Sequence, residues 1–285
     1  MKKIFTAFLP FLLWAGVVSG QHSCCQPNNQ SLAFNAMGSN PAFIIAHAEP
    51  LPTDFQPSFG KMIELKSLDG RAARAFEAKS GSASGKVILM FHEWWGLNAY
   101  IMQEAEKIAK ATGATVLALD LYDGRLTEDR GEAAKLSAAV NSERAFAIIR
   151  AGLNYAGKTG KVQTIGWCFG GGWSLQAAIE GADKVVGCVI YYGMPESDPA
   201  RIEKLSAPVL GIFGVNDDFI NPQIVGKFQS DMTAAGKSLE VQNYEAVHAF
   251  ANPSNPDYNK EATEDAMNRT ITFLKNNFKA AKTHK

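Results

Sequence analysis

Five short apolar runs constrain the fold of this chain more than any other feature. Val87–Phe91, Val116–Leu119, Val162–Gly166, Val185–Tyr191 and Val209–Phe213 carry few polar residues, Gln163 and Thr164 chief among them. Runs this short and this uniformly apolar suit strands buried on both faces, as in a parallel sheet. Helical stretches separate them or follow them: Ala99–Thr112, Ser142–Ala156, Gly171–Ile179 and Ile224–Ala235. The last, about Lys260–Phe278, places Met267, Ile271, Leu274 and Phe278 on one face. Met62–Ser67 and Ala72–Ala78 flank Leu68-Asp69-Gly70, where Asp-Gly signals a hairpin turn. Leu239–Tyr244 alternates and supplies a last strand. The sum is an α/β fold, a mostly parallel eight-stranded sheet with helices on both faces.

Charge excludes some partners. Lys+Arg and Asp+Glu both number 28 among 285 residues. A nucleic-acid binder needs a basic excess to meet phosphates, and no polybasic stretch suggests a stable membrane partner. Met1-Lys2-Lys3 followed by the uncharged run Ile4–Val18 and the small residues Val18-Ser19-Gly20 reads as a signal peptide over 1–20. The expected destination is periplasmic or secreted. The run is shorter than the roughly 20 residues of a spanning helix, so an N-terminal anchor is the lesser reading. Gln21-His22-Ser23 before Cys24 does not resemble a lipidation signal. Residues 21–59, with prolines at 27, 41, 50, 52 and 57, read as a linker or loosely packed extension. The domain is expected over 60–285. Cys24, Cys25, Cys168 and Cys188 are not spaced as a disulfide framework, and no metal-ligand spacing accompanies them.

Gly166-Trp167-Cys168-Phe169-Gly170 lies between a strand and a helix. This is the nucleophile-elbow pattern of α/β-hydrolases with Cys at its centre. A sharp turn there lifts the sulfur above the sheet and aims the N–H groups of the next helix at the reacting atom, an environment expected to lower the thiol pKa. A glycine-rich turn with an incidental Cys is the bland alternative. Against it, Asp217 and Asp218 follow the strand Val209–Phe213, and His248 follows Leu239–Tyr244. Nucleophile, acid and base thus occur in the chain order such a triad requires. Only one of the two aspartates can face the histidine. His22 and His284 lie in tails and His47 in the extension, so they fit the base role less well. The expected oxyanion-hole donors are the backbone N–H groups of Phe169 and Trp94. Glu93, at a strand end beside two tryptophans, is placed to have a raised pKa and to interact with a thiol.

Together, His92-Glu93-Trp94-Trp95-Gly96-Leu97-Asn98, Leu119-Asp120-Leu121-Tyr122, Gly166–Gly171, Asp217 and His248-Ala249-Phe250 resemble the dienelactone hydrolase (carboxymethylenebutenolidase) family. The resemblance runs from about Met62 to Phe278. It implies an ester or lactone hydrolase acting on a small molecule, with Cys168 as nucleophile and His248 as base. Asp217 becomes the acid by its place in G-x-x-D-x-x-[VI]. Glu93 matches a glutamate that bonds the resting thiol and swings onto it as substrate arrives. No cofactor and no metal are implied. In the family two arginines hold a substrate carboxylate. Arg125 stands one residue from the first position, and the second falls on Asn252. With Trp95 and Tyr122 these form the expected substrate-binding set. An Asn offers no charge, so the charge-assisted clamp is incomplete and neutral esters or lactones are the expected substrates. The competing readings are an exported carboxylesterase on neutral or carbohydrate esters, a non-catalytic binding protein of this fold, and a thiol redox protein.

Overall fold

Parallel strands β3 (Lys86–Phe91), β4 (Thr115–Leu119), β5 (Lys161–Trp167), β6 (Val185–Tyr191), β7 (Val209–Gly214) and β8 (Leu239–Tyr244) make up most of one eight-stranded sheet. The computed structural model describes residue 1 and residues 37–81, 85–158 and 160–280. The antiparallel hairpin β1 (Gly60–Leu65) and β2 (Ala73–Lys79) completes one edge, giving the order β1-β2-β4-β3-β5-β6-β7-β8. The apolar runs behave as their composition requires. Ile88 to Phe91 and Val116 to Leu119 are fully buried, because both sheet faces are covered.

The crossover helices begin where short polar side chains cap them. Asn98 caps α2 (Ala99–Thr112), Asn141 caps α4 (Ser142–Tyr155) and Asn221, followed by Pro222, caps α7 (Pro222–Ala234). Helix α5 (Phe169–Gly181) is buried over nearly its whole length, and α8 (Lys260–Ala280) buries Ala266, Leu274 and Phe278. Two further helices went unanticipated. Helix α3 (Arg130–Ala138) buries Ala133, Ala134, Leu136 and Ser137, side chains too small to mark an apolar stripe. Helix α6 (Pro199–Ile202) is a single turn.

The extension departs most from expectation. Residues 2–20 of the stretch read as a signal peptide lie outside the described residues. The described part of 21–59, however, is docked. Helix α1 (Pro41–Ala46) is capped by Asn40 and buries Phe43 completely. The Leu51 N–H donates to Ser254 Oγ at 2.9 Å. The Glu106 carboxylate on α2 accepts from the N–H groups of Ser58 (3.1 Å), Phe59 (2.8 Å) and Gly60 (2.6 Å). Burial works against the charged Glu106, but those three donors outweigh it and lower its pKa. An anchored backbone and a buried aromatic do not describe a linker.

Candidate active site

The elbow is strained as its sequence demands. Cys168 has φ 52° and ψ −117°, a region a non-glycine residue enters at a cost of roughly 1–3 kcal/mol. The turn is tight on both sides. A Cβ at Gly166 would collide with the Gly170 carbonyl, and one at Gly170 with the carbonyls of Phe91 and His92. Hence glycine stands two residues before and two after the cysteine.

Asp217, at the end of β7, and His248, beyond β8, converge on that sulfur. His248 Nε2 lies 3.3 Å from Cys168 Sγ, and His248 Nδ1 lies 2.7 Å from Asp217 Oδ2. The other carboxylate oxygen of Asp217 accepts the N–H groups of Phe219 and Ile220, both at 2.8 Å. Asp218 is exposed. Burial opposes charge on all three groups. It raises the Cys168 thiol, against the lowering expected at a helix N-terminus, with the charge and hydrogen bond of His248 drawing it only partly back. For His248 the attraction of Asp217 and of the Cys168 sulfur overcomes burial and pushes the imidazole up. Asp217 is held below its ordinary value because His248 and the backbone donors outweigh burial.

A second histidine reaches the same sulfur. His47, just past α1, is buried, with Nε2 3.7 Å from Cys168 Sγ and Nδ1 2.7 Å from the Phe43 carbonyl. Burial, reinforced by the charge on His248, lowers its pKa to about 3. The Phe43 ring meets His47, Trp94, Phe219 and His248. These contacts close one side of the site, and Cys168 is only 1% exposed. Sequence reasoning set His47 aside because its segment carries prolines and no period. The available signal was the i, i+4 pair Phe43–His47.

The β3–α2 loop carries Glu93, Trp94 and Trp95. Buried His92 braces it: Nδ1 donates to the Glu93 carbonyl (2.6 Å), and Nε2 accepts from the Leu121 N–H (3.2 Å). The Tyr122 hydroxyl donates to the Trp94 carbonyl at 3.0 Å. Tyr122 is thus a buried brace of the loop and not, as expected, a wall of the cavity. Glu93 was expected at the thiol; instead Glu93 Oε2 accepts from Asn252 Nδ2 at 2.8 Å. Glu93 remains close enough for its charge to act on the thiol. Burial raises its carboxyl to about 7, less what His248 and the Asn252 hydrogen bond return.

A cavity of about 540 Å³ adjoins these residues, a size that suits a small organic ligand. Glu93, Trp95, Trp167, Tyr192 and Asn252 line it. Its charged lining is mainly acidic: Glu93, Glu104 and Glu264 against Lys107, whose Nζ is held by Glu104 at 2.7 Å. Arg125 is absent from it. Asp123 and Gly124 both take positive φ, 53° and 94°, and the turn leaves Arg125 in a separate depression with Asp69, Arg71 and Arg144. The expected clamp therefore has neither arginine. Tyr192, unforeseen, follows β6 with φ 36° and packs edge-on to His248. Its buried hydroxyl makes no hydrogen bond of good geometry among the described residues, and the Ala251 N–H lies close to it.

The sequence model of the dienelactone hydrolase family matches residues 73–278. This chain belongs to that family. A carboxymethylenebutenolidase of Pseudomonas putida is 29% identical over 228 residues, covering 74% of this chain and 94% of the relative. The protein usf of Aquifex pyrophilus is 27% identical over 229 residues, covering 76% and 98%. Among solved structures, a dienelactone hydrolase-like promiscuous phosphotriesterase from metagenomic libraries superposes with a TM-score of 0.66 at 20% identity, covering 77% of this chain and 99% of that one. Carboxyl esterase 2 of the fungus Tuber melanosporum gives 0.62 at 14% identity, covering 87% and 97%. As a member of the dienelactone hydrolase family, the chain is a hydrolase acting on ester or lactone bonds.

The Glu93–Asn252 contact has a measurable consequence. Asn252 stabilises the charged carboxylate, so Asn252→Ala is expected to move the titration of Glu93 above its wild-type value of about 7. Tryptophan fluorescence against pH reads this, since Trp94 and Trp95 flank the group. Glu93→Gln should abolish the transition. The sign for stability follows. Between the unfolded value near 4.5 and about 7, the folded chain holds a proton that the unfolded chain has lost. The contribution of Glu93 to stability therefore falls as pH rises through that window. A fluorescence transition unchanged in both variants would exclude Glu93 as its source.

Proposed function

We propose that this dienelactone hydrolase family member cleaves small neutral esters or lactones through a Cys168–His248–Asp217 triad. The observation that supports it is the continuous contact from Asp217 through His248 to a sulfur on a strained elbow. His248 accepts the Cys168 proton, and the sulfur adds to the substrate carbonyl carbon. The carbonyl oxygen takes up the negative charge, facing the backbone N–H groups of Phe169 and Trp94. The acyl C–O bond then breaks. His248 returns the proton to the leaving oxygen, leaving a thioester on Cys168. Water, losing its proton to His248, attacks that thioester; the acid leaves, and the sulfur regains a proton. Asp217 fixes the imidazole tautomer and supports its positive charge. Glu93, Trp95 and Asn252 are the proposed substrate contacts, and the Tyr192 hydroxyl offers a further donor at the same wall.

The acidic lining and the absence of both arginines support a preference for uncharged substrates. An anionic substrate lacks both charge-assisted contacts, and the loss of even one is worth about 1.5–3 kcal/mol. The expected result is kcat/KM roughly 10- to 100-fold higher for a neutral lactone than for its matched carboxylate-bearing counterpart. Equal or faster turnover of the anion would mean that its carboxylate is held elsewhere. The signal-peptide reading of residues 1–20 places this activity outside the cytoplasm. Intact-mass analysis of protein recovered from the native cell is expected to begin at Gln21, and retention of Met1 would reject export by cleavage.

A further inference from the structure

Two imidazoles converge on one sulfur, and a single thiol proton cannot serve both. We propose that His47, Cys168 and His248 form a three-ligand site for a borderline or soft divalent ion, zinc in the first place, and that its occupation silences the nucleophile. The silencing rests on Cys168 being that nucleophile; the binding of the ion does not.

Three observations carry the site. Its dimensions are those of a metal centre. The three ligand atoms lie within 4.8 Å of one another, with Sγ 3.7 Å from His47 Nε2 and 3.3 Å from His248 Nε2. Tetrahedral zinc with Zn–S near 2.3 Å and Zn–N near 2.0–2.1 Å gives an S···N edge of about 3.6 Å. The outer contacts are also in place. His47 Nδ1 donates to the Phe43 carbonyl and His248 Nδ1 to Asp217, both at 2.7 Å. Each bond fixes a tautomer that leaves the Nε2 lone pair facing the sulfur, the arrangement typical of metal-bound histidine.

The proton count supplies the third observation. A thiol donates to one Nε2 only, so the second faces the sulfur as acceptor against acceptor. Turning His47 to its other tautomer sets an Nδ1 lone pair against the Phe43 carbonyl instead. One cation satisfies all three lone pairs at once. With a thiolate and the Asp217 carboxylate, a divalent ion also leaves the buried group neutral. Binding is coordination without redox change: the Cys168 S–H bond breaks, its proton leaves to solvent, and one metal–sulfur and two metal–nitrogen bonds form. Thiolate and imidazole ligands select zinc, copper and cobalt over magnesium and calcium.

Cobalt tests the site without reference to turnover. Chelator-treated full-length protein titrated with Co²⁺ is expected to show a near-ultraviolet thiolate-to-metal band and visible bands of four-coordinate strength. Saturation should come at a single ion per chain with release of a proton. Zn²⁺ should displace the signal and Mg²⁺ should not. His47→Ala, and His47→Gln should the first variant fold poorly, should weaken binding by more than the roughly 10- to 100-fold typical of losing an outer-shell partner. Replacing Cys24 and Cys25 with Ser should leave the band intact. Absence of the band, its loss with Cys24 and Cys25, or unchanged affinity in both His47 variants would overturn the site. Zn²⁺ should also inhibit hydrolysis, less so in the His47 variants. A band without any ester turnover would reject the hydrolytic triad alone; turnover without the band rejects the metal site alone.

Discussion

Cys168→Ala is expected to lower kcat for ester hydrolysis by roughly six orders of magnitude, the scale on which an acyl-transfer triad fails without its nucleophile. The substitution removes one sulfur and leaves the elbow otherwise intact. Its backbone stays at positive φ, and the glycines at 166 and 170 still clear the turn. Far- and near-ultraviolet circular dichroism should therefore match the wild type. Cys168→Ser should retain weak turnover, because His248 and the helix N-terminus remain in place. Wild-type rates in Cys168→Ala would end the assignment of this residue as nucleophile.

The second large effect is at Asp217. One oxygen of this carboxylate is fastened by the Phe219 and Ile220 N–H groups, and the other meets His248 Nδ1. In Asp217→Asn the amide oxygen must keep the two backbone donors, so the amide nitrogen faces Nδ1. That nitrogen is a donor. His248 then carries its proton on Nε2, pointing at the sulfur, and cannot accept the proton of Cys168. The expected loss is on the order of 10⁴-fold in kcat with little change in folding stability. Asp218→Asn, on an exposed side chain, should stay within about tenfold. A larger loss at Asp218 than at Asp217 would reverse the assignment of the acid.

Elements whose signal is local were legible in the sequence. Each strand from β3 to β8 is marked by its own residues, and the elbow by its paired glycines. What escaped depended on distant packing or on one turn. The residues of α1 matter only because they meet side chains far along the chain: His47 and Cys168 are 121 positions apart. Within residues 41–47 the i, i+4 pair Phe43–His47 hints at a buried face but names no partner. Arg125 looked close to the substrate because it stands one residue from a clamp position of the family, yet the two left-handed residues before it turn it away. Asn252, expected as a substrate contact, holds Glu93 with its amide, a partner 159 positions away that its own neighbours do not announce.

The stretch matched to the dienelactone hydrolase family begins at residue 73. Phe43 and His47, which roof the sulfur, precede it. The surroundings of Cys168 are thus built from two sources, the body matched to the family and a leading segment that the match does not include. Inhibitors or substrates chosen by comparison with relatives will be fitted to the shared walls only. A library of variants confined to the matched residues would leave the roof untouched, although half the ring contacts of His248 are made to it.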